Sequence, residues 1–144
     1  MEIATIGFTQ SSARDFFERL KGARIRRLVD VRLNNASQLA GFAKSADLAY
    51  FLDTICDARY EHDLRLAPTK PMLDAYRKKR IDWATYEAEF RKLMLNRGIP
   101  DVLEPLSFET KTVLLCSEHL PAKCHRRIIA ELLATRWGAQ VEHL

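Results

Sequence analysis

Twelve consecutive residues, Cys116-Ser117-Glu118-His119-Leu120-Pro121-Ala122-Lys123-Cys124-His125-Arg126-Arg127, hold two thiols, a carboxylate, two imidazoles and three cationic side chains. The second half of this run opens a helix. Unsatisfied backbone N–H groups and the positive end of the helix dipole favour an anion there, and they lower the pKa of a thiol in the first turn. Cys124 is one candidate thiolate on this ground, and Cys116, at the tip of the preceding strand, is the other.

Four readings of these residues compete. A metal site has plausible ligands, but Cys-x7-Cys-His lacks the paired C-x2-C spacing of structural zinc, so no metal is expected. A covalent cysteine mechanism would use His62 or His125 as base and Arg32 or Arg126 to hold an anion. General acid–base work would fall to Glu118 or Asp30, with Arg32, Asn34 and Asn35 positioning a sugar, base or phosphate. In the purely structural reading Cys116 is a buried strand end, Glu118 pairs with Arg126 or Arg127, His125 caps a helix, and Asp30–Arg32 is an internal tie.

The elements that would position these groups alternate between strand and helix. Glu2 to Ile6 reads as a strand, Ser11 or Ser12 caps a helix carrying Phe16, Phe17 and Leu20, Gly22 ends it, and Arg27 to Val31 is a second strand. A loop over residues 34–42 leads to a helix from Ser45 or Asp47 whose Leu48, Phe51, Leu52 and Ile55 form one buried face, with Cys56 a small buried hydrophobe beside it. Tyr60-Glu61-His62 is a third strand. Two helices follow, one with Met72, Leu73 and Tyr76, the other starting near Asp82 with Trp83, Tyr86, Phe90, Leu93 and Met94 as core aromatics and aliphatics. Lys111 to Cys116 is the most apolar strand and is expected to be central. A last helix to Trp137 ends at Gly138, before an edge strand over residues 139–143.

This order predicts a single α/β domain over residues 1–144, with a parallel or mixed sheet of four or five strands and helices on both faces. Ligands of such sheets bind outside the carboxyl ends of the strands. The rim then collects Thr9 after the first strand, Arg32, Asn34 and Asn35 after the second, His62 after the third, and Cys116 with Glu118 after the fourth. Cys116, Glu118 and His125 are the candidate catalytic residues; Thr9, Arg32, Asn34, Asn35, His62, Cys124 and Arg126 are the candidate binding residues. Arg32→Ala is expected to lose ligand at little cost in stability, and Asp30→Ala the reverse.

A net charge of +4 and a pI near 9.1 favour anionic partners. A small anionic ligand or nucleotide is the expected substrate of an enzyme. The alternative is a non-catalytic nucleic-acid or nucleotide binder using Lys70, Arg77 and Lys79 as well, and an adaptor would need an exposed apolar patch instead. No apolar run approaches the ~20 residues of a membrane span, and three scattered cysteines do not frame a secreted scaffold, so no membrane partner and a cytoplasmic location with reduced thiols are expected. No cofactor is expected, and oligomeric state is left open.

Gly7-Phe8-Thr9, Val29-Asp30-Val31-Arg32, and Leu115-Cys116-Ser117-Glu118 followed by Pro121 and Cys124-His125-Arg126 together resemble the prokaryotic family known as domain of unknown function 488. Arg32-Leu33-Asn34-Asn35, Ser37-Gln38-Leu39-Ala40-Gly41-Phe42, His62 and Leu66-Ala67-Pro68-Thr69 resemble one branch of it. The resemblance implies a small α/β domain with a shared rim site, and it brings no established reaction, substrate or cofactor. Many relatives carry Gly-His or Gly-Tyr after the first strand, so Phe8 is not counted in the site.

Overall fold

A computed structural model describes residues 1–36 and 41–144; Ser37, Gln38, Leu39 and Ala40, part of the motif compared above, lie outside the described residues. Five strands, β1 (Glu2–Gly7), β2 (Arg27–Asp30), β3 (Arg59–His62), β4 (Thr112–Cys116) and β5 (Gln140–His143), form one sheet in the order β3-β2-β4-β1-β5. Every neighbouring pair is parallel. The sheet expected to be parallel or mixed is therefore wholly parallel, because each link between neighbouring strands passes through helix rather than a tight hairpin. β4 is the central strand and is buried along its whole length, as its apolar sequence requires.

The helices are α1 (Ala13–Gly22), α2 (Ser45–Phe51), α3 (Lys70–Arg77), α4 (Trp83–Asn96) and α5 (His125–Trp137). Their starts are set locally: the side chains of Ser12, Thr69 and Asp82 each accept the backbone N–H three residues on. α2 runs on into a wider turn, Leu52–Cys56, that closes at Asp57 in the left-handed region. This widening moves Ile55 off the expected buried face and leaves it exposed, while Cys56 is buried as read. Gly138 ends α5 with φ +66°. Among the described residues no helix is long and apolar enough to cross a membrane.

Strand pleating divides the core in two. Ala4, Ile6, Leu28, Val113 and Leu115 face Phe16, Phe17 and Leu20 of α1 and Leu48 of α2. Ile3, Val29, Val31, Leu114 and Cys116 face Tyr86, Phe90 and Met94 of α4 and Ile128, Ile129 and Leu133 of α5. After β2 the chain passes to the first face, and after β4 to the second. Neighbouring strands whose continuations part in this way leave a crevice at their carboxyl ends.

One wall of that crevice is tied by an ion pair inside the protein. Asp30 is fully buried and Arg32 is 3 % exposed. Arg32 Nε and Nη2 donate to the two Asp30 carboxylate oxygens at 2.9 and 2.7 Å, Nη2 also donates to the Ala43 carbonyl at 2.6 Å, and the Tyr60 hydroxyl donates to Asp30 at 2.6 Å. The Phe8 ring lies under the guanidinium, 5.0 Å from its centroid. Burial works against the charge of Arg32, but the Asp30 bonds outweigh it and hold its pKa above the ordinary value; burial and the Asp30 carboxylate push Tyr60 up as well. Arg32 is thus no free charge waiting for ligand. Removing either partner strands the other in a dry site, so Arg32→Ala, expected from sequence to cost little stability, and Asp30→Ala should both cost about 3–5 kcal/mol in urea unfolding. An Arg32→Ala protein as stable as the parent would show that the pair does not hold this wall.

Candidate functional site

The loop from β4 to α5 is positioned by what takes its carbonyls. Thr9 donates to the Ser117 carbonyl twice, from its backbone N–H at 3.1 Å and from Oγ1 at 2.8 Å. Arg126, fully buried, donates from Nη1 to the Glu118 carbonyl and from Nη2 to the His119 carbonyl. The loop also lies so close over β1 that a Cβ built on Gly7 would stand 1.6 Å from the Glu118 carbonyl oxygen. These bonds draw the carbonyls of Ser117, Glu118 and His119 towards Thr9 and Arg126. Thr9 thus ties the end of β1 to the loop after β4, and a crevice opens between β2 and β4.

That open crevice is a narrow cleft. Arg32, Leu33 and Asn34 after β2 line one side, and Cys116, Ser117 and Glu118 with Lys123, Cys124 and His125 line the other. Pro68, Leu73, Tyr76 and Arg77 of the α3 region and Trp83 and Tyr86 of α4 complete it. Trp83 and Tyr86 stack with ring centroids 5.3 Å apart, and Tyr76 packs 5.0 Å from Tyr86. The α3–α4 aromatics read from sequence as core therefore also wall the site. Their signal in the sequence was the long link between β3 and β4, which has to pass over the sheet on this side.

At the floor three groups converge. The potential ligand atoms of Cys116, Cys124 and His125 lie within 4.8 Å of one another, and all three residues are buried. His125 Nε2 is 2.8 Å from the Val31 carbonyl, which fixes the proton on that nitrogen and leaves Nδ1 a lone pair, 3.6 Å from Cys116 Sγ. The Cys124 S–H bond, the charge of Arg126 and the Ser117 and Glu118 amides hold the Cys116 thiol below the usual range despite burial. Burial holds Cys124 well above it, with the neighbouring Cys116 adding to the effect. Cys124 is the N-cap residue of α5 and makes no side-chain cap bond.

Six of the ten residues singled out from sequence line this cleft: Arg32, Asn34, Cys116, Glu118, Cys124 and His125. The other four support it from behind. His62 Nε2 donates to the Arg32 carbonyl at 2.7 Å, and Asn35 Nδ2 donates to His62 Nδ1 at 3.0 Å and faces the Tyr60 oxygen at 3.2 Å. Both brace Arg32 and neither reaches the cleft. Thr9 and Arg126 brace the loop. Glu118 does not pair with Arg126 or Arg127 as the structural reading supposed: Arg126 holds its carbonyl, while Arg127 pairs with Glu87 and Glu131, tying α5 to α4. Arg32 Nη1 is buried and has no partner among the described residues.

A family model described as domain of unknown function DUF488 matches residues 12–133. No curated protein and no solved structure matches the chain.

Gly7→Ala forces the Glu118 carbonyl away, so it should cost about 1–3 kcal/mol, typical of an overpacked site, and should displace the loop from Cys116. Gly22→Ala, at the end of α1 where an added Cβ meets nothing within 4 Å, is the control and should be at least as stable as the parent in the same urea unfolding series. Equal stability of the two variants would mean that the loop does not rest on Gly7.

Proposed function

The chain belongs to the domain of unknown function DUF488 family, and from that membership and the geometry of the rim we propose that it is an enzyme acting on a small, planar, anionic substrate of nucleotide type, with chemistry centred on Cys116. The observation that carries this reading is Nη1 of Arg32, a buried donor with no partner among the described residues, on a residue that lines a cleft walled by aromatic rings. An unpaired buried donor is costly, and an acceptor oxygen of a bound ligand removes the cost. Because Asp30 already balances the charge of Arg32, the free N–H supplies a directed bond more than net charge. Arg77 and Lys123, both exposed beside the cleft, supply the positive field for an anion.

The narrow cleft favours a flat group, which Trp83, half-buried in its wall and backed by Tyr86, is placed to stack against. Asn34 offers a donor and an acceptor beside it. At the far end the substrate meets Cys116, with His125 at its sulfur, and the carboxylate of Glu118 lines the same space. These are the groups available to move a proton or attack a carbon or phosphorus centre.

The test is calorimetric titration with nucleoside 5′-monophosphates, using ribose 5-phosphate as the control without a ring. Nucleotides should bind and ribose 5-phosphate should not, and Trp83→Leu should weaken nucleotide binding about 5- to 150-fold, as loss of one stacked base does. No binding of any of them at millimolar concentration would overturn the proposal. Tighter binding of a single-stranded oligonucleotide, with affinity collapsing as salt rises, would support the nucleic-acid reading in its place.

A further inference from the structure

The spacing Cys116-x7-Cys124-His125 does not match a paired-cysteine zinc motif, yet the fold brings its three potential ligand atoms within 4.8 Å of one another. Two of them arrive from the start of α5 and one from the tip of β4, so sequence spacing is no guide to their distance. Zinc bonds of about 2.3 Å to sulfur and 2.0–2.1 Å to nitrogen, set at tetrahedral angles, place sulfur and nitrogen about 3.5–3.6 Å apart. Cys116 Sγ and His125 Nδ1 are 3.6 Å apart. That separation equals the edge of a metal tetrahedron.

We propose that Cys116, Cys124 and His125 bind a zinc ion and leave its fourth position open to the cleft. His125 already makes the contact that steadies a ligating imidazole, from Nε2 to the Val31 carbonyl at 2.8 Å. Its ring now lies side-on to Cys116, whose sulfur is 3.9 Å from Nε2 as well. A turn about the Cβ–Cγ bond swings the Nδ1 lone pair onto the metal, and Nε2, nearer that axis, moves less. Two thiolates and an imidazole are the soft donor set that selects zinc over magnesium or calcium. Among the described residues no fourth histidine, cysteine or carboxylate joins the three.

All three residues line the cleft, so the open position faces it. An open position marks a catalytic site rather than a structural one. Resting on the substrate reading only for what lies in that cleft, the inference makes the metal a Lewis acid towards a substrate oxygen. Cys116 then serves as a ligand, and Glu118 is the neighbouring carboxylate that handles a proton.

The experiment needs no nucleotide. The full chain is stripped with a chelator, reduced, and titrated with cobalt(II) and then zinc. The expected result is one cobalt per chain, with the strong visible bands of a tetrahedral ion and thiolate-to-metal charge transfer in the near ultraviolet, both abolished by zinc. Zinc should protect Cys116 and Cys124 from alkylation, resolved by mass spectrometry, and should leave Cys56 unchanged, since Cys56 belongs to the opposite core face. Cys124→Ser should weaken zinc binding by more than the roughly 100-fold that loss of an outer-shell partner costs.

Absence of charge transfer in the folded parent protein, or zinc that protects neither thiol, would overturn the proposal whatever the variant does. Nucleotide binding without zinc binding would sink this inference alone. Zinc binding without nucleotide binding would sink only the substrate reading.

Discussion

A buried guanidinium sets the geometry on which the site depends. Arg126 sits in the first turn of α5, fully enclosed, and holds two carbonyls of the loop that returns from β4. A charge in that position is tolerable only because it is hydrogen-bonded, and carbonyl oxygens bonded to a cation are strong acceptors. The same contact decides which way the loop's peptide planes face. The Ser117, Glu118 and His119 oxygens turn to Thr9 and Arg126, and the charge of Arg126 helps to hold the Cys116 thiol below its usual range. Gly7 is the second half of this constraint, because only a residue without a side chain lets the loop lie so close to β1.

A second buried arginine plays the matching part across the cleft. Arg32 is held by Asp30, Ala43 and the Phe8 ring, while His62 donates to its backbone carbonyl and is itself held by Asn35. Each bond in such a network rigidifies its neighbours, which explains why so many polar residues at the rim brace one another. What remains for a ligand is small: one N–H of Arg32, the Asn34 amide, and the cluster around Cys116. Preorganisation of this kind lowers the ordering that binding would otherwise require.

Phe8, set aside in the sequence as a lost polar contact, has a structural role in this arrangement. Its ring covers one face of the Arg32 guanidinium and keeps water from it, so the hydrogen bonds to Asp30 operate in a dry setting. The aromatic residues of α3 and α4 serve in a similar double way. Tyr86 and Phe90 close the core beneath α4, and Tyr76, Trp83 and the outer edge of Tyr86 form the cleft wall. One helix face thus supports the sheet and shapes the pocket.

The sequence by itself determined the elements and their order. Period-two and period-3.6 patterns, a serine cap before α1, a helix start near Asp82 and the stop at Gly138 are local physics, legible over a few residues, and the alternation of strand and helix and the rim it defines follow from them. It also marked the residues worth watching, since thiol, imidazole and guanidinium side chains gathered at strand ends are unusual. Only the tertiary structure decided which of these meet. Pleat parity puts Cys116 on the face of α4 and α5, the return of the loop over Gly7 brings Cys124 and His125 to it, and the bracing of Arg32 takes His62 and Asn35 out of reach. Each depends on contacts between residues tens of positions apart, whose distance is fixed by packing and never by spacing along the chain.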